Sequence, residues 1–230
     1  MHEGEFLDFF ALSVFRTSLK VDAAARKRFV SLLLNLEAAD RRPRGEEQAW
    51  LGDVSGSEFL FSDGEFADLF ADIGRAVRSY VSQLGLDESQ LAFWFQRSWA
   101  TISHQGERIF EHTHQQSHLS FAYYLKKPTD GGGIYFSVAD HPNEFAPGLF
   151  TLTKEQLGLI KSPGPRTLNR VYVEPVEDEI LVFPSRTLHS TAPNLTDQPR
   201  ISISGDVVVT LKDSAGHETL MPPVERWKAF

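Results

Sequence analysis

Apolar residues recur at intervals of three and four positions in two segments of the N-terminal part of the chain. Over residues 21–39 this pattern predicts an amphipathic helix, with basic residues between the apolar ones. A second helix is predicted over residues 63–85, where Ser62 or Asp63 is suited to cap the N-terminus. A polar loop separates the two segments, and both helices are interpreted as packing elements.

From Leu91 onward the pattern changes to short runs of aromatic and β-branched residues separated by turn clusters. Such runs favour strands, and many short strands preceded by helices are typical of a sandwich, barrel or jelly roll. The predicted strands are residues 92–102, 119–125, 133–138, Arg170–Val173, 180–184 and Arg200–Leu211.

The length of 230 residues suits one large domain with a well-developed core. We expect a helical N-terminal flank at residues 1–90, a β core at 91–212 and a C-terminal tail at 213–230. Residues 139–167 fit no strong strand pattern, and loops of this length often line binding sites. This segment is therefore predicted to face the substrate, the alternative being a solvated insertion with a short helix around residues 153–159.

Charge and cysteine content narrow the classes of partner and site. The 23 basic and 31 acidic residues give a net charge of -8, which disfavours binding to nucleic acid or to an anionic membrane. Without cysteine, a metal must be bound by His, Asp or Glu. No apolar run approaches the ~20 residues that span a bilayer, and no signal peptide is recognised, so we expect a cytoplasmic protein. The oligomeric state stays open.

Three histidines are candidate metal ligands. His112 and His114 are two residues apart, so in an extended backbone their side chains point to the same face. His189 follows a short apolar strand, and a third imidazole from there would complete a facial triad with open positions. Taken singly, a histidine pair in a polar loop and a structural His189 are the alternatives.

A candidate anion site lies at the start of the last predicted strand. The period of two places Arg200 and Ser202 on one face, with Ser204 and Asp206 beyond them. A guanidinium is costly to bury without an anion, and a carboxylate matches it in a bidentate pair. The alternative is a salt bridge between Arg200 and one of the many acids of this chain.

In this order the motifs resemble those of the iron(II)/2-oxoglutarate-dependent oxygenase superfamily, which has His-x-Asp/Glu, a distal His and then Arg-x-Ser. Here Arg200 follows His189 by 11 positions (200 − 189). The sequence is most similar to a bacterial and phage branch with a His-x-His motif. The resemblance covers about residues 99–209, and its further motifs are Ser120-Phe121-Ala122-Tyr123-Tyr124-Leu125, Phe183-Pro184-Ser185, Pro193-Asn194 and Arg200-Ile201-Ser202-Ile203-Ser204.

The resemblance implies a mainly β fold, a double-stranded β-helix of the jelly-roll, cupin-like type with N-terminal flanking helices. It also implies Fe(II) as cofactor and 2-oxoglutarate as cosubstrate, with succinate and CO2 as co-products of the hydroxylation of a small molecule or peptide. No catalytic side chain is implied beyond the metal ligands. The implied metal ligands are His112, His114 and His189, and the implied 2-oxoglutarate contacts are Arg200, Ser202 and Tyr124.

The sequence departs from the superfamily at His114, which stands where a carboxylate is usual. The metal would then be bound by three imidazoles, or an acid or amide from elsewhere would take part; the candidates are Glu111, Asp140 and Gln116. We favour the three histidines. Two other functions stay open at this point: a three-histidine cupin-type metalloenzyme without 2-oxoglutarate, and a non-catalytic jelly-roll binding module. The substrate and the oxidation outcome are not specified by the sequence.

Several further residues have a structural interpretation beside a functional one. Tyr124 is as compatible with a core position as with the cosubstrate site. Arg97 and Arg108 are more economically interpreted as members of ion pairs than as ligands of an acidic substrate. The remaining candidates are interpreted as surface or core residues: His104, His118, His141, Trp94, Phe95 and Trp99.

Overall fold

The structure is a computed structural model, which describes residues 5–217 and 221–230. Within these residues the chain forms strands and helices in the following order: β1 (Phe15–Ser18), α1 (Ala23–Ala39), β2 (Trp50–Leu51), α2 (Ala67–Gln83), β3 (Leu91–Ser103), β4 (Leu119–Lys126), β5 (Ile134–Ser137), α3 (Leu152–Gln156), β6 (Arg170–Val173), β7 (Glu179–Pro184), β8 (Leu188–Thr191) and β9 (Arg200–Leu211).

Two antiparallel sheets pack face to face and form the double-stranded β-helix. The larger sheet has the strand order β1-β7-β4-β9-β3-β2, and the smaller one has the order β6-β5-β8. From β6 to β9 successive strands alternate between the two sheets, which places residues from distant parts of the sequence opposite one another. The mainly β fold expected from the resemblance is confirmed.

The inner strands β4, β7 and β9 of the larger sheet are buried on both faces. On β4, Phe121 and Tyr123 pack into the cluster that contains the helices, whereas Ala122 and Tyr124 pack toward the smaller sheet. Side chains alternate across a strand with a period of two, so each buried strand contributes one face to the helix-side core and one to the interior between the sheets. The candidate site lies on this second face.

Both predicted helices are present with shifted starts. Asp22 caps α1 by accepting hydrogen bonds from the main-chain N–H groups of Ala24 and Ala25, so the helix begins at Ala23 rather than at Val21. Before α2, two short 3-10 turns occupy residues 60–62 and 64–66. Asp63 caps the second of these turns through the N–H of Glu65, and α2 itself begins later.

Three short strands were not predicted from the sequence. β1 pairs with β7 and β2 pairs with β3, so the segment 1–90 contributes strands to the larger sheet as well as helices. β8, which carries His189, pairs with β5. These strands are two to four residues long, and at that length the alternating pattern is a weak guide, although the four-residue β6 was predicted with its observed bounds.

The segment 139–167 contains one short helix, α3, which begins one residue before the predicted stretch 153–159 and ends at Gln156. Among the described residues, no helix combines the length and the apolar character required to span a lipid bilayer.

Gly205 is required by the close packing of three strands at the centre of the larger sheet. A Cβ at this position would lie 2.6 Å from Cζ of Phe121 and 2.7 Å from the carbonyl oxygen of Arg97. We therefore expect Gly205→Ala to lower the free energy of unfolding by about 1–3 kcal/mol, the usual cost of overpacking. Urea denaturation measures this change.

The matched control is Gly164→Ala, because a Cβ on Gly164 meets no atom within 4 Å. Equal denaturation midpoints for the two variants would contradict the packing argument.

Candidate active site

Two main-chain hydrogen bonds join the first and last candidate histidines. The N–H of His112 donates to the carbonyl of His189 at 3.0 Å, and the N–H of His189 donates back to the carbonyl of His112 at 3.0 Å. This isolated antiparallel bridge holds the two imidazole rings with centroids 4.3 Å apart. Residues that are 77 positions apart (189 − 112) are thus brought together by the backbone.

His114 joins the pair through its own backbone contact. Its N–H donates to the carbonyl of Ser185, just beyond the end of β7, at 2.9 Å. Its Nε2 lies 3.1 Å from Nε2 of His112. One nitrogen from each of His112, His114 and His189 lies within 4.8 Å of the other two, so the three predicted ligands form a cluster.

Hydrogen bonds at Nδ1 fix the orientation of two of these rings. Nδ1 of His112 lies 2.8 Å from the carbonyl oxygen of Phe110, and Nδ1 of His189 lies 2.8 Å from that of Thr187. A carbonyl oxygen only accepts, so Nδ1 must carry the proton and donate. The Nε2 lone pairs are then available to a metal ion, which is the usual arrangement of a ligating histidine.

The third ring, that of His114, contacts the carboxylate of Asp206. The sequence analysis had placed Asp206 only on the same face as Arg200. Asp206 on β9 is fully buried, and its Oδ1 lies 2.6 Å from Nδ1 of His114. It also accepts hydrogen bonds from Ser120 at 2.9 Å and from Arg97 at 3.1 Å. Burial opposes ionisation of Asp206, but His114, Ser120 and Arg97 outweigh it, and the pKa of this carboxyl is lowered.

Burial favours the neutral form of His112 and His189. Desolvation lowers the pKa of His189 to about 3, and the neighbouring His112 and His114 add to this effect. The pKa of His112 is also lowered, first by burial. A neutral imidazole has its lone pair free, so at physiological pH His112 and His189 can bind a divalent metal without a competing proton.

Arg200 is buried close to this cluster, with 2% of its surface exposed. Its terminal nitrogens donate only to uncharged oxygens, and no carboxylate in the described ranges lies within ion-pair distance of it. The salt bridge considered as an alternative is therefore not found there. The acceptors are the carbonyls of Gly131, Gly132 and Ala192 at 3.0–3.1 Å and the hydroxyls of Ser103 and Thr191 at 2.9 Å.

The turn around Arg200 depends on Gly132 and Asn194. Gly132 has φ +77°, and a Cβ there would lie 2.8 Å from Nη1 of Arg200 and 2.5 Å from the carbonyl of Pro193. The fully buried Asn194 donates to the carbonyl of Ser103 at 2.9 Å. The Pro-Asn motif thus has a structural role, because it positions the chain that encloses the guanidinium.

Tyr124 and Ser202 lie on the same interior face as Arg200. Tyr124 is buried, and its hydroxyl makes no hydrogen bond to any described residue. Burial raises the pKa of Tyr124 above the usual value, with Arg200 acting in the opposite direction. The phenol therefore remains protonated and keeps a hydrogen-bond donor for a ligand.

The histidine cluster, Arg200, Tyr124 and Ser202 line one cavity of about 350 Å³, within the range of small-molecule sites. Gln48, Leu51 and Asp53 of the N-terminal flank also line it. No residue of the segment 139–167, all of which is described, contributes to the lining. The expectation that this segment faces the substrate is therefore wrong for the cavity described here.

The other candidate ligands do not join the cluster. Glu111 and Gln116 line the cavity, but Glu111 accepts a hydrogen bond from Ser137, and Asp140 is exposed. Outside the cluster, His104 contacts Glu37. His118 and His141 also lie outside it, and Arg108 forms an exposed ion pair with Glu47.

Arg97 and Trp99 adjoin the histidines from β3. Arg97 forms the expected ion pairs, with Asp206 at 3.1 Å and with Asp53 at 3.5 Å, although it also lines the cavity. A bulge between Phe95 and Arg97 places Arg97 directly opposite Asp206 on β9. The buried ring of Trp99 packs beside His114 with centroids 5.5 Å apart.

Residues 97–206 match the family model described as "Putative 2OG-Fe(II) oxygenase". They contain the whole histidine cluster, Arg200 and Asp206. The match covers 110 of the 230 residues (206 − 97 + 1). Together with the similar solved structures, it indicates a 2OG-Fe(II) oxygenase, an oxidoreductase that uses iron and 2-oxoglutarate.

Solved structures share the fold of the oxygenase. The epimerase SnoN from nogalamycin biosynthesis is 15% identical, with a TM-score of 0.57 over 88% of this chain and 82% of its own. HygX from Streptomyces hygroscopicus, solved with nickel and 2-oxoglutarate, is 16% identical, with a TM-score of 0.53 over 86% and 83%. A Pseudomonas putida prolyl-4-hydroxylase is 17% identical, with a TM-score of 0.50 over 85% and 92%. No curated protein matches the sequence.

The lowered pKa of His189 predicts an acid-sensitive metal-free protein. Below pH 6.5 the unfolded chain binds a proton at this histidine, whereas the folded chain does not until about pH 3. Stability should therefore fall as the pH drops through this window, by up to about 1.4 kcal/mol per pH unit from this residue. Urea denaturation with a chelator at pH 7, 6 and 5 measures the slope.

His189→Gln should flatten that slope by the contribution of one proton. Identical slopes for the wild type and His189→Gln would show that His189 is not buried in its neutral form.

Proposed function

We propose that the oxygenase binds Fe(II) through His112, His114 and His189 and couples oxidative decarboxylation of 2-oxoglutarate to hydroxylation of a small-molecule or peptide substrate. One oxygen atom of O2 would enter the substrate and the other would enter succinate, with release of CO2. The observation that carries this proposal is the meeting of three oriented imidazoles and one buried guanidinium, free of carboxylate partners among the described residues, at the same cavity.

The donor set fits iron. Imidazole nitrogens suit divalent first-row transition metals, and three ligands on one side leave positions for a chelating cosubstrate and for O2. When bound, iron and 2-oxoglutarate supply the oxidising chemistry, which the protein's own side chains cannot provide. The role of this chain is to hold the donor nitrogens in place and to shield the site from water.

The spacing between the cluster and Arg200 suits a five-carbon dicarboxylate. Nη2 of Arg200 donates to Oγ1 of Thr191 at 2.9 Å, and Thr191 is two residues beyond His189 on β8. Two residues of strand correspond to roughly 7 Å. One end of 2-oxoglutarate at the metal and the other near Arg200 is therefore a geometrically reasonable placement.

The buried charge of Arg200 favours an enzyme that binds 2-oxoglutarate over the alternative of a metalloenzyme that does not. Arg200 is a buried cation whose described neighbours are carbonyls and hydroxyls, and an uncompensated buried charge is strongly unfavourable. A ligand carboxylate would balance it. The unpaired hydroxyl of Tyr124 and the hydroxyl of Ser202 offer further donors to the same carboxylate.

The wall around the metal end is suited to an organic substrate of moderate size. Leu51, Ile109 and Phe110 supply apolar surface, and Gln48 and Glu111 supply polar groups. Among the similar folds, one is an epimerase of nogalamycin biosynthesis and another is a prolyl-4-hydroxylase. These similar proteins support a small-molecule or a peptide substrate for the oxygenase, and they do not favour one of these two classes over the other.

Replacing a proposed ligand should abolish tight metal binding. We expect His189→Ala to weaken Fe(II) binding by more than the ~10- to 100-fold typical of changes outside the ligand set. Anaerobic titration with Fe(II) against a chelating dye, together with metal analysis, measures the loss.

His118→Ala is the matched control, because His118 is near the cluster in sequence but lies outside it, and its imidazole accepts a hydrogen bond from the N–H of Val209. Full iron content in His189→Ala would remove this residue from the ligand set.

Replacing the proposed cosubstrate contacts should leave metal binding intact. Calorimetric titration of Mn(II)-loaded protein with 2-oxoglutarate should show about 100-fold weaker binding for Arg200→Ala and about 10-fold weaker binding for Tyr124→Phe. Both side chains would donate to a charged carboxylate, for which a hydrogen bond contributes about 1.5–3 kcal/mol, and the Arg200 variant also loses the opposite charge.

Tyr135→Phe serves as the control for Tyr124→Phe, because Tyr135 lies on β5 outside the cavity lining. Tyr124→Phe also keeps the test valid if Arg200→Ala unfolds. Unchanged 2-oxoglutarate affinity in a folded Arg200→Ala protein, or in Tyr124→Phe, would reassign that residue to a structural role.

A further inference from the structure

The three imidazoles of the cluster differ in the hydrogen-bond partner of Nδ1. His112 and His189 donate from Nδ1 to the neutral carbonyls of Phe110 and Thr187. His114 alone faces a carboxylate, with Nδ1 to Oδ1 of Asp206 at 2.6 Å. This distance is in the range of a charge-assisted hydrogen bond.

The surroundings of Asp206 fix its carboxylate in the position that contacts His114. The side chain has no exposed surface, and Ser120 donates to the same Oδ1 at 2.9 Å. Oδ2 accepts from Nη2 of Arg97 at 3.1 Å. Both carboxylate oxygens are thus held, and the residue cannot turn away from His114 without losing these bonds.

The backbone register accounts for this placement. β9 pairs with β4 so that Asp206 lies opposite Ser120, and with β3 so that Asp206 lies opposite Arg97. The strand also carries Arg200 and Ser202 on the same face. A single strand therefore supplies both the proposed cosubstrate contacts and the partner of one proposed metal ligand.

We propose that Asp206 is a positioning residue for the metal, which fixes the tautomer of His114 and supplies, one hydrogen bond further out, the negative charge that three imidazoles lack. This inference rests on the proposed function. Because a carboxylate only accepts, Nδ1 of His114 carries the proton and Nε2 is left as donor to the metal. The adjacent charge raises the basicity of that nitrogen, and such partners typically change metal affinity by about 10- to 100-fold.

Asp206→Asn separates charge from shape, because the amide is nearly isosteric and its oxygen still accepts from Nδ1. The experiment titrates purified protein with Co(II) against a chelating dye and records the visible spectrum of the Co(II)-loaded protein. We expect about 10- to 100-fold weaker Co(II) binding and shifted absorption bands. A residue that only supported the fold would alter stability and leave the Co(II) spectrum of the folded protein unchanged.

Asp178→Asn is the matched control, since Asp178 is also a buried carboxylate and accepts hydrogen bonds from Tyr123 and Val21 far from the cluster. It should keep the wild-type Co(II) affinity. Asp206→Ser, which removes the same charge without adding volume, replaces Asp206→Asn if that variant does not fold.

The outcomes distinguish this inference from the proposed function. If the wild type does not bind Co(II), the metal site itself is refuted. If the wild type binds and a folded Asp206 variant matches it in affinity and spectrum, only the role of Asp206 is overturned. A measurement on the wild type is independent of any variant: long-range 1H–15N correlation of the Zn(II)-loaded protein should show the proton of His114 on Nδ1, and its absence there would overturn the proposal.

Discussion

The pair of main-chain hydrogen bonds between His112 and His189 is the interaction on which the rest of the site depends. It joins the segment before β4 to a strand of the smaller sheet, and it sets the distance between two imidazoles without any metal being needed. The imidazole of His114 lies beside these two rings, because His114 is two residues beyond His112 and its N–H donates to the carbonyl of Ser185. The histidine cluster is therefore a product of backbone pairing, and the side chains only have to keep their orientation.

Two opposite charges are buried on β9, and each is balanced in a different way. Asp206 is held by Ser120 and Arg97 and faces an imidazole, so its charge is used inside the protein. Arg200 is surrounded by neutral oxygens in the described structure, which is the basis for proposing that it binds a ligand carboxylate. Strand geometry keeps these groups six residues apart on one face, which separates the histidine end of the cavity from the guanidinium end.

The predictability of the site differed from one residue to the next. β9 was predicted with its observed bounds because its long apolar run carries a clear pattern, and the short β6 was found because most of its residues are β-branched or aromatic. The four-residue β8 around His189 was missed, because its sequence Leu-His-Ser-Thr lacks such a run. The face shared by Arg200 and Asp206 followed from the period of two. The contact between Asp206 and His114 did not, since it depends on the register of strands distant in sequence. The same limit hid the contribution of Leu51 to the cavity wall.

Gln48, Leu51 and Asp53 supply a part of the cavity wall that precedes residues 97–206, and none of them belongs to the histidine cluster. Their neighbours are less free to vary, because Ala49 and Trp50 are buried and a Cβ on Gly52 would lie 3.2 Å from the main chain of Ala100. Asp53 also pairs with Arg97. A directed-evolution library aimed at new specificities would accordingly diversify Gln48 and Leu51 before the much longer segment 139–167, no residue of which lines the cavity.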